Sequence, residues 1–203
     1  NVGSIIRRDP VTDLYAPYVE EESLQAFERI AADPAGSIAA VADDGVSFSD
    51  RLLRVDPGAP PGVTFFDQVQ RPVDVAIDRD GTYVVLESGF APPSAVHDLD
   101  SDVPSSVEVF DLDAAYPSVF GWRAVEVDAN GRIFAVPYAT GLLAIDRGAT
   151  TTTEAIFPIG PGSGPSFLDL AMVSLPAPEP ATTWFAAAAF ASLGILRRRR
   201  DRR

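Results

Sequence analysis

A short unit recurs three times along the chain and limits the fold more than any other feature. It reads apolar–Asp–x–x–Gly–x–apolar. The copies are Ile30-Ala31-Ala32-Asp33-Pro34-Ala35-Gly36-Ser37-Ile38, Val75-Ala76-Ile77-Asp78-Arg79-Asp80-Gly81-Thr82-Tyr83 and Val125-Glu126-Val127-Asp128-Ala129-Asn130-Gly131-Arg132-Ile133. Asp33, Asp78 and Asp128 lie 45 and 50 residues apart. Each copy has the local chemistry of a β-hairpin. Val, Ile and Tyr suit the flanking strands. Asp80-Gly81 and Asn130-Gly131 supply the positive φ that a tight turn requires. Asp33-Pro34-Ala35-Gly36 suits a turn whose second position is pre-set by proline.

A second unit, an apolar strand ending in Asp, alternates with the first. It occurs as Ile5-Ile6-Arg7-Arg8-Asp9, Leu52-Leu53-Arg54-Val55-Asp56, Val107-Glu108-Val109-Phe110-Asp111 and Leu142-Leu143-Ala144-Ile145-Asp146. A last first-unit strand is read at Phe167-Leu168-Asp169-Leu170-Ala171-Met172-Val173. The 18 Pro and 15 Gly punctuate the chain into short strands rather than long helices. A period of 40–50 residues with several strands per unit fits the blades of a β-propeller.

The pattern resembles the NHL and related six-bladed propeller repeats. Pro72-Val73-Asp74-Val75-Ala76-Ile77-Asp78, Asp80-Gly81-Thr82-Tyr83-Val84-Val85 and Val107-Glu108-Val109-Phe110-Asp111 match best. The resemblance implies an all-β, partial propeller of about three to four blades over residues 1–157. Those families often place Ala-Asp after the second strand, where this chain has Leu86-Glu87, and the third unit has Gly121-Trp122-Arg123 in place of the leading Pro. An all-antiparallel sandwich is the alternative. Three to four blades fall short of closing a ring, so either further blades on the N-terminal side, the simpler expectation, or an open arc is implied.

Two segments depart from the repeat. Residues 11–29 admit a helical turn, with Leu24, Phe27 and Ile30 on one face, or a blade-connecting loop. Residues 88–106 are polar and rich in turn formers, and are expected as a surface insertion between strands. Residues 158–180 are rich in Pro and Gly and read as a spacer, apart from the strand at 167–173.

Composition narrows the chemistry. There is no cysteine, which excludes disulfides, thiol catalysis and Cys-ligated zinc. All sixteen basic residues are Arg, against 29 Asp and Glu, for a net charge of −13. The last seven residues, six Arg and one Asp, carry +5, so residues 1–196 carry −18. Such an acidic body repels nucleic acid and keeps the chain soluble.

The C-terminal end differs in kind. Pro178-Glu179-Pro180 precedes an uncharged stretch, 181–196, which is followed by Arg197, Arg198, Arg199, Arg200, Asp201, Arg202 and Arg203. As a helix the stretch would be about 24 Å long, short for a hydrocarbon core of about 30 Å. Trp184 at one interface and snorkelling Arg stems at the other would make up the difference. The apolar residues surround the axis, so there is no polar face. A buried core helix ending in a basic patch is the alternative, and a nucleic-acid role for the Arg run a weaker one.

This order of motif, span and basic stop resembles the PEP-CTERM sorting signal, which a membrane protease (exosortase) recognises. The resemblance implies a transmembrane helix at 181–196, a cytoplasmic stop at 197–203 and the body outside the cytoplasm. It also implies cleavage near the motif, and release to the cell surface or into an exopolysaccharide matrix. The partners implied are exosortase, membrane lipid and envelope or matrix components. Export requires a leader. None is visible after Asn1, so a leader is expected upstream.

Candidate chemistry in the body is sparse. Asp98, Asp100 and Asp102 begin a calcium-loop spacing, but the sixth position is Val103 and the twelfth Val109. They are weak metal candidates beside a plain acidic loop. Asp78 with Asp80, and Asp128 with Asn130, suit calcium or, more simply, turn geometry. His97 is the one histidine and has no partner motif for a general base, so a solvent-facing loop position is expected. Trp122 and Tyr138 are expected as core or rim aromatics. A non-enzymatic binding or display platform without cofactor is the expectation, with a calcium-dependent lactonase-like hydrolase as the alternative.

Overall fold

The computed structural model describes residues 3–8, 13, 15–21, 23–32, 36–45, 50–58, 61–88, 94–100, 105–148 and 150–160. The chain divides into two units, Asn1–Met172 and Val173–Arg203. All described residues belong to the first. The expectations for Asp102, 167–173, Pro178-Glu179-Pro180, the span 181–196 and the Arg run fall outside them. Among the described residues, no helix is long and apolar enough to cross a membrane.

Each Asp-x-x-Gly unit within the described residues closes the first hairpin of a four-stranded antiparallel sheet. Blade 1 contains β3 (Ala26–Ala32), β4 (Ile38–Asp43), β5 (Arg51–Asp56) and β6 (Gly62–Phe66). Blade 2 contains β7 (Pro72–Ile77), β8 (Tyr83–Glu87), β9 (Ala95–Leu99) and β10 (Ser106–Asp111). Blade 3 contains β11 (Trp122–Val127), β12 (Ile133–Pro137), β13 (Thr140–Asp146) and β14 (Thr152–Gly160). In every blade the strands pair in chain order, as a meander. A two-stranded sheet, β1 (Gly3–Arg8) with β2 (Tyr15–Glu21), precedes them. A four-residue helix, α1 (Leu112–Ala115), follows β10.

The turns explain the repeat. In blade 2 the Gly81 amide donates to Asp78 O at 2.9 Å, and the Asp78 amide to Thr82 O at 2.8 Å. Blade 3 repeats both bonds between Asp128, Gly131 and Arg132. Gly81 and Gly131 have φ of +90° and +79°, which an L side chain resists. The first strand of each blade also carries a bulge at one repeat position: between Phe27 and Arg29, Pro72 and Asp74, and Trp122 and Ala124. Such bulges bend and twist a strand.

The first strands stand side by side, β7 packing on both β3 and β11. The sheets therefore stack face to face, and the core lies between them. Val41, Leu52 and Phe66 of blade 1 meet Val75, Tyr83, Val85 and Leu99 of blade 2. Val84, Leu86 and Val96 on the other face of blade 2 meet Trp122, Val125, Ile133 and Leu143 of blade 3. Ile5 and Val19 of the two-stranded sheet cover Ala40, Ala42, Leu53 and Val55 of blade 1. Strands buried on both faces read as continuous apolar runs rather than alternating ones. β8 shows this, since Tyr83, Val84, Val85 and Leu86 are all buried.

Four expectations need correction. The described residues of 88–106 are not a surface insertion, because they include β9, the third strand of blade 2, paired with β8 and β10. Val107–Asp111 therefore belongs to the fourth strand of blade 2, although its sequence matches the third strands of blades 1 and 3. The described residues of 11–29 form no helix: β2 and the start of β3 occupy them, with Leu24 buried and, just beyond, Ile30 exposed. Residues 158–160, read with the spacer, end β14. That strand is the sheet's outer edge, where Pro158 costs no ladder bond.

Candidate functional site

The hairpin turns of blades 2 and 3 lie at the same edge of their sheets. Between them is an open crevice of about 710 Å³, lined by Asp78, Arg79, Asp80, Asp98, Asn130 and Arg147 among others. Arg147, which directly follows β13, is at its centre. Its Nη1 donates to Asp98 Oδ1 at 2.8 Å, its Nη2 to Asp78 Oδ2, and its Nε to Gly131 O at 3.0 Å. One guanidinium thus ties two carboxylates of blade 2 to the turn of blade 3. The planar fork of Arg suits this task, which the point charge of Lys does not.

The charge balance of the crevice is acidic. Burial first, then the neighbouring Asp80 carboxylate, push the Asp98 carboxyl up to about 6 from 3.8, while His97 pulls it down. The Arg147 guanidinium, 2.8 Å from Asp98 Oδ1, favours the charged carboxylate by its position. Burial lowers the pKa of Arg147 itself; a guanidinium nevertheless stays charged.

The sequence candidates separate into distinct settings. Asp98 is inside β9 and bonded to Arg147, not in a calcium loop. Asp100 follows the strand end and is exposed. Asp80 accepts the Thr82 amide at 3.0 Å, and Asp128 the amides of Asn130 and Arg132 at 2.8 and 2.9 Å. These carboxylates shape turns. Among the described residues, no three His, Asp or Glu converge as a metal-binding group. His97 is not a solvent-facing loop residue. It lies on β9 against blade 1, mostly buried, with Nε2 2.9 Å from Glu87 Oε2. Glu87 also accepts the Gln70 amide. Trp122 is fully buried, with Tyr116 edge-on at 6.0 Å, whereas Tyr138 is exposed at the rim under Arg123.

A second, smaller cavity of about 390 Å³ opens at the opposite edge, lined by Asp44, Asp50, Arg51, Asp67 and Arg71 among others. Arg51 reaches Asp67 at 3.0 Å and lies 3.9 Å over the Phe65 ring. Burial, then the charges of Glu28, Asp43 and Asp44, push the Asp50 carboxyl up to about 6 from 3.8.

Sequence reasoning singled out Asp78, Asp80, Asp98 and Asn130, and the crevice brings all four together. It missed Arg147, Asp74, Glu87 and Asp50. Arg147 has no motif around it; its partners are 49 and 69 residues away. Asp74 stands within the repeat, where its local sequence gives it no role.

Blades of four-stranded antiparallel meanders, stacked through their first strands, make this a β-propeller-type fold. Among solved structures, the chain is similar to the crystal structure of TolB from Acinetobacter baumannii. The TM-score is 0.56 and the identity 13%, over 76% of this chain and 38% of that one. The chain thus spans less than two fifths of the structure it matches, and at this identity the likeness shows the fold alone. No protein-family model and no curated protein matches the sequence.

Proposed function

We propose that this chain is an exported surface or matrix protein, a β-propeller body delivered by a PEP-CTERM tail. One observation carries the reading: Pro178-Glu179-Pro180, the uncharged span 181–196 and Arg197, Arg198, Arg199 and Arg200 follow one another in that order. The span enters the bilayer, and the Arg run stays on the cytoplasmic side because Arg is costly to move across. An exosortase-type protease then cuts near the motif. The body acts as a binding or display platform without catalysis. The engagement of His97 with Glu87 and of Asp98 with Arg147 supports this reading, because both carboxylates are already committed to partners within the body.

The test is localisation in a bacterium that carries an exosortase-type protease. Replacing Pro178-Glu179-Pro180 by Ala is expected to leave an uncleaved, membrane-bound form. Replacing Arg197–Arg200 by Ser is expected to weaken retention at the inner membrane. If both variants distribute like the unchanged chain, the tail is not a sorting signal.

A further inference from the structure

The 50-residue offset that maps Asp78 onto Asp128 also maps Gln70, Arg71 and Ser88 of blade 2 onto Phe120, Gly121 and Tyr138 of blade 3. The backbone is alike at both places. Arg71 and Gly121 have φ of +53° and +80°. The Ser88 amide donates to Arg71 O at 3.3 Å, and the Tyr138 amide to Gly121 O at 3.1 Å. The side chains differ. Where blade 2 has Gln and Ser, blade 3 has two aromatic rings open to water: Phe120 is 81% exposed and Tyr138 55%. The same turn forms with Gln and Ser, so the fold does not require Phe and Tyr here. Neighbouring aromatic rings kept in water without a folding role mark a contact surface.

Tyr138 is held in place. A Cβ on Gly121 would lie 3.1 Å from Tyr138 Cδ2, so glycine lets the ring settle against the start of β11. Arg123 Nη2 donates to Tyr138 O at 2.9 Å, and the guanidinium lies 4.8 Å from the ring centroid. Arg51, Arg132 and Arg147 each pair with a carboxylate. Among the described residues, no carboxylate pairs with Arg123, which leaves donors of its fork for a partner.

Charge then selects the partner. The unpaired guanidinium disfavours a cation. The −18 carried by residues 1–196 disfavours a polyanion. A neutral chain remains, with flat apolar faces for the rings and oxygen acceptors for Arg123 and the Tyr138 hydroxyl. A pyranose has both: C–H groups on its faces and hydroxyls around its rim. A proline-rich peptide, another neutral chain that docks on aromatic side chains, needs a groove between them, whereas Phe120 stands out from the surface.

We propose that Phe120, Tyr138 and Arg123 form a docking surface for a neutral polysaccharide chain. The two rings stack on sugar faces, and Arg123 donates to sugar hydroxyls. This rests on the binding-platform reading of the body and names its partner. A failed sorting test leaves it standing, and its own failure leaves the sorting tail untouched.

The test is calorimetric binding of the full chain to cellohexaose, N-acetylchitohexaose and maltohexaose, with oligogalacturonate and a decaproline peptide for comparison. At least one neutral glycan is expected to bind, and more tightly than the uronate or the peptide. Phe120→Gln and Tyr138→Ser install the residues that blade 2 carries at these positions, so both should unfold thermally like the unsubstituted chain. Each should weaken glycan binding about tenfold. Val107→Thr, at a residue 65% exposed on β10, should leave the affinity unchanged. On the unsubstituted chain, bound glycan should slow nitration of Tyr138 by tetranitromethane, a reading that no folding defect can confuse. Binding to none of the neutral glycans, tighter binding of the uronate or decaproline, full affinity in the Phe120 and Tyr138 variants, or an unchanged nitration rate would overturn the proposal.

Discussion

The carboxylate of Asp74 on β7 accepts the amide of Val125 on β11 at 2.9 Å, joining the first strands of two blades. The same side chain accepts the Val75 amide at 3.0 Å, and Arg29 Nε of blade 1 lies 3.9 Å away. β11 is the edge strand of its sheet, so half its amides point away from β12. Asp74, 7% exposed, satisfies one of them. Asp74→Ala would leave that amide buried without an acceptor, at a cost of about 1–3 kcal/mol. Asp74→Asn keeps an acceptor oxygen and should lose less. Urea unfolding of both variants checks the order; equal losses would assign the effect to charge rather than to the amide bond.

Gly81 and Gly131 hold equivalent turns in different surroundings. A Cβ on Gly81 meets nothing within 4 Å, so Gly81→Ala costs only its positive φ, roughly 1 kcal/mol. A Cβ on Gly131 would lie 3.2 Å from Arg147 Nη2 and 3.5 Å from Asp78 Oδ2. Gly131→Ala should therefore be the more destabilising of the two, and thermal unfolding of the pair measures the gap.

Asp50 sets a pH dependence. Its carboxyl ionises near 3.8 in the unfolded chain and at about 6 in the fold. The folded state thus holds this proton more tightly, and stability falls as pH rises from about 4 to about 6. Asp50→Asn removes that slope and should gain about 1 kcal/mol at pH 7, after allowance for solvent screening. Denaturant midpoints of both proteins at pH 4 and pH 7 give the comparison; an unchanged difference between the two pH values would contradict it.

Burial pushes the Asp98 carboxyl up to about 6, with the Arg147 guanidinium 2.8 Å away. Removing that cation by Arg147→Gln takes a favourable contact from the charged carboxylate and leaves burial and Asp80 opposed by His97 alone. The Asp98 carboxyl resonance followed by NMR should then titrate at higher pH. The variant should also be less stable at pH 7, because two partly buried carboxylates lose their partner.

What could be read in the sequence follows from where each signal resides. The turns at 78–81 and 128–131 were legible because Asp, Asn and Gly carry the backbone geometry locally. β9 was not. Its residues Ala95-Val96-His97-Asp98-Leu99 look like a polar loop until Glu87 and Arg147 are placed beside His97 and Asp98. Around β3 the helical spacing of Leu24, Phe27 and Ile30 competes with a weak alternation, and pairing with β4 decides the outcome. β14 was hidden by its exposed, Thr-rich sequence and by Pro158, which an edge strand tolerates. The crevice was half legible: its acidic residues stand in the repeat, whereas Arg147 acquires its role only when blades 2 and 3 stack.

On the reading proposed above, the tail directs export and is then cut. Intact-mass and C-terminal peptide analysis of the protein recovered outside the cell tests it most directly. The account predicts a chain ending near Pro178-Glu179-Pro180, without the span 181–196 or Arg197–Arg203. A full-length chain ending at Arg203, recovered in soluble form from the cytoplasm and absent outside, would contradict it.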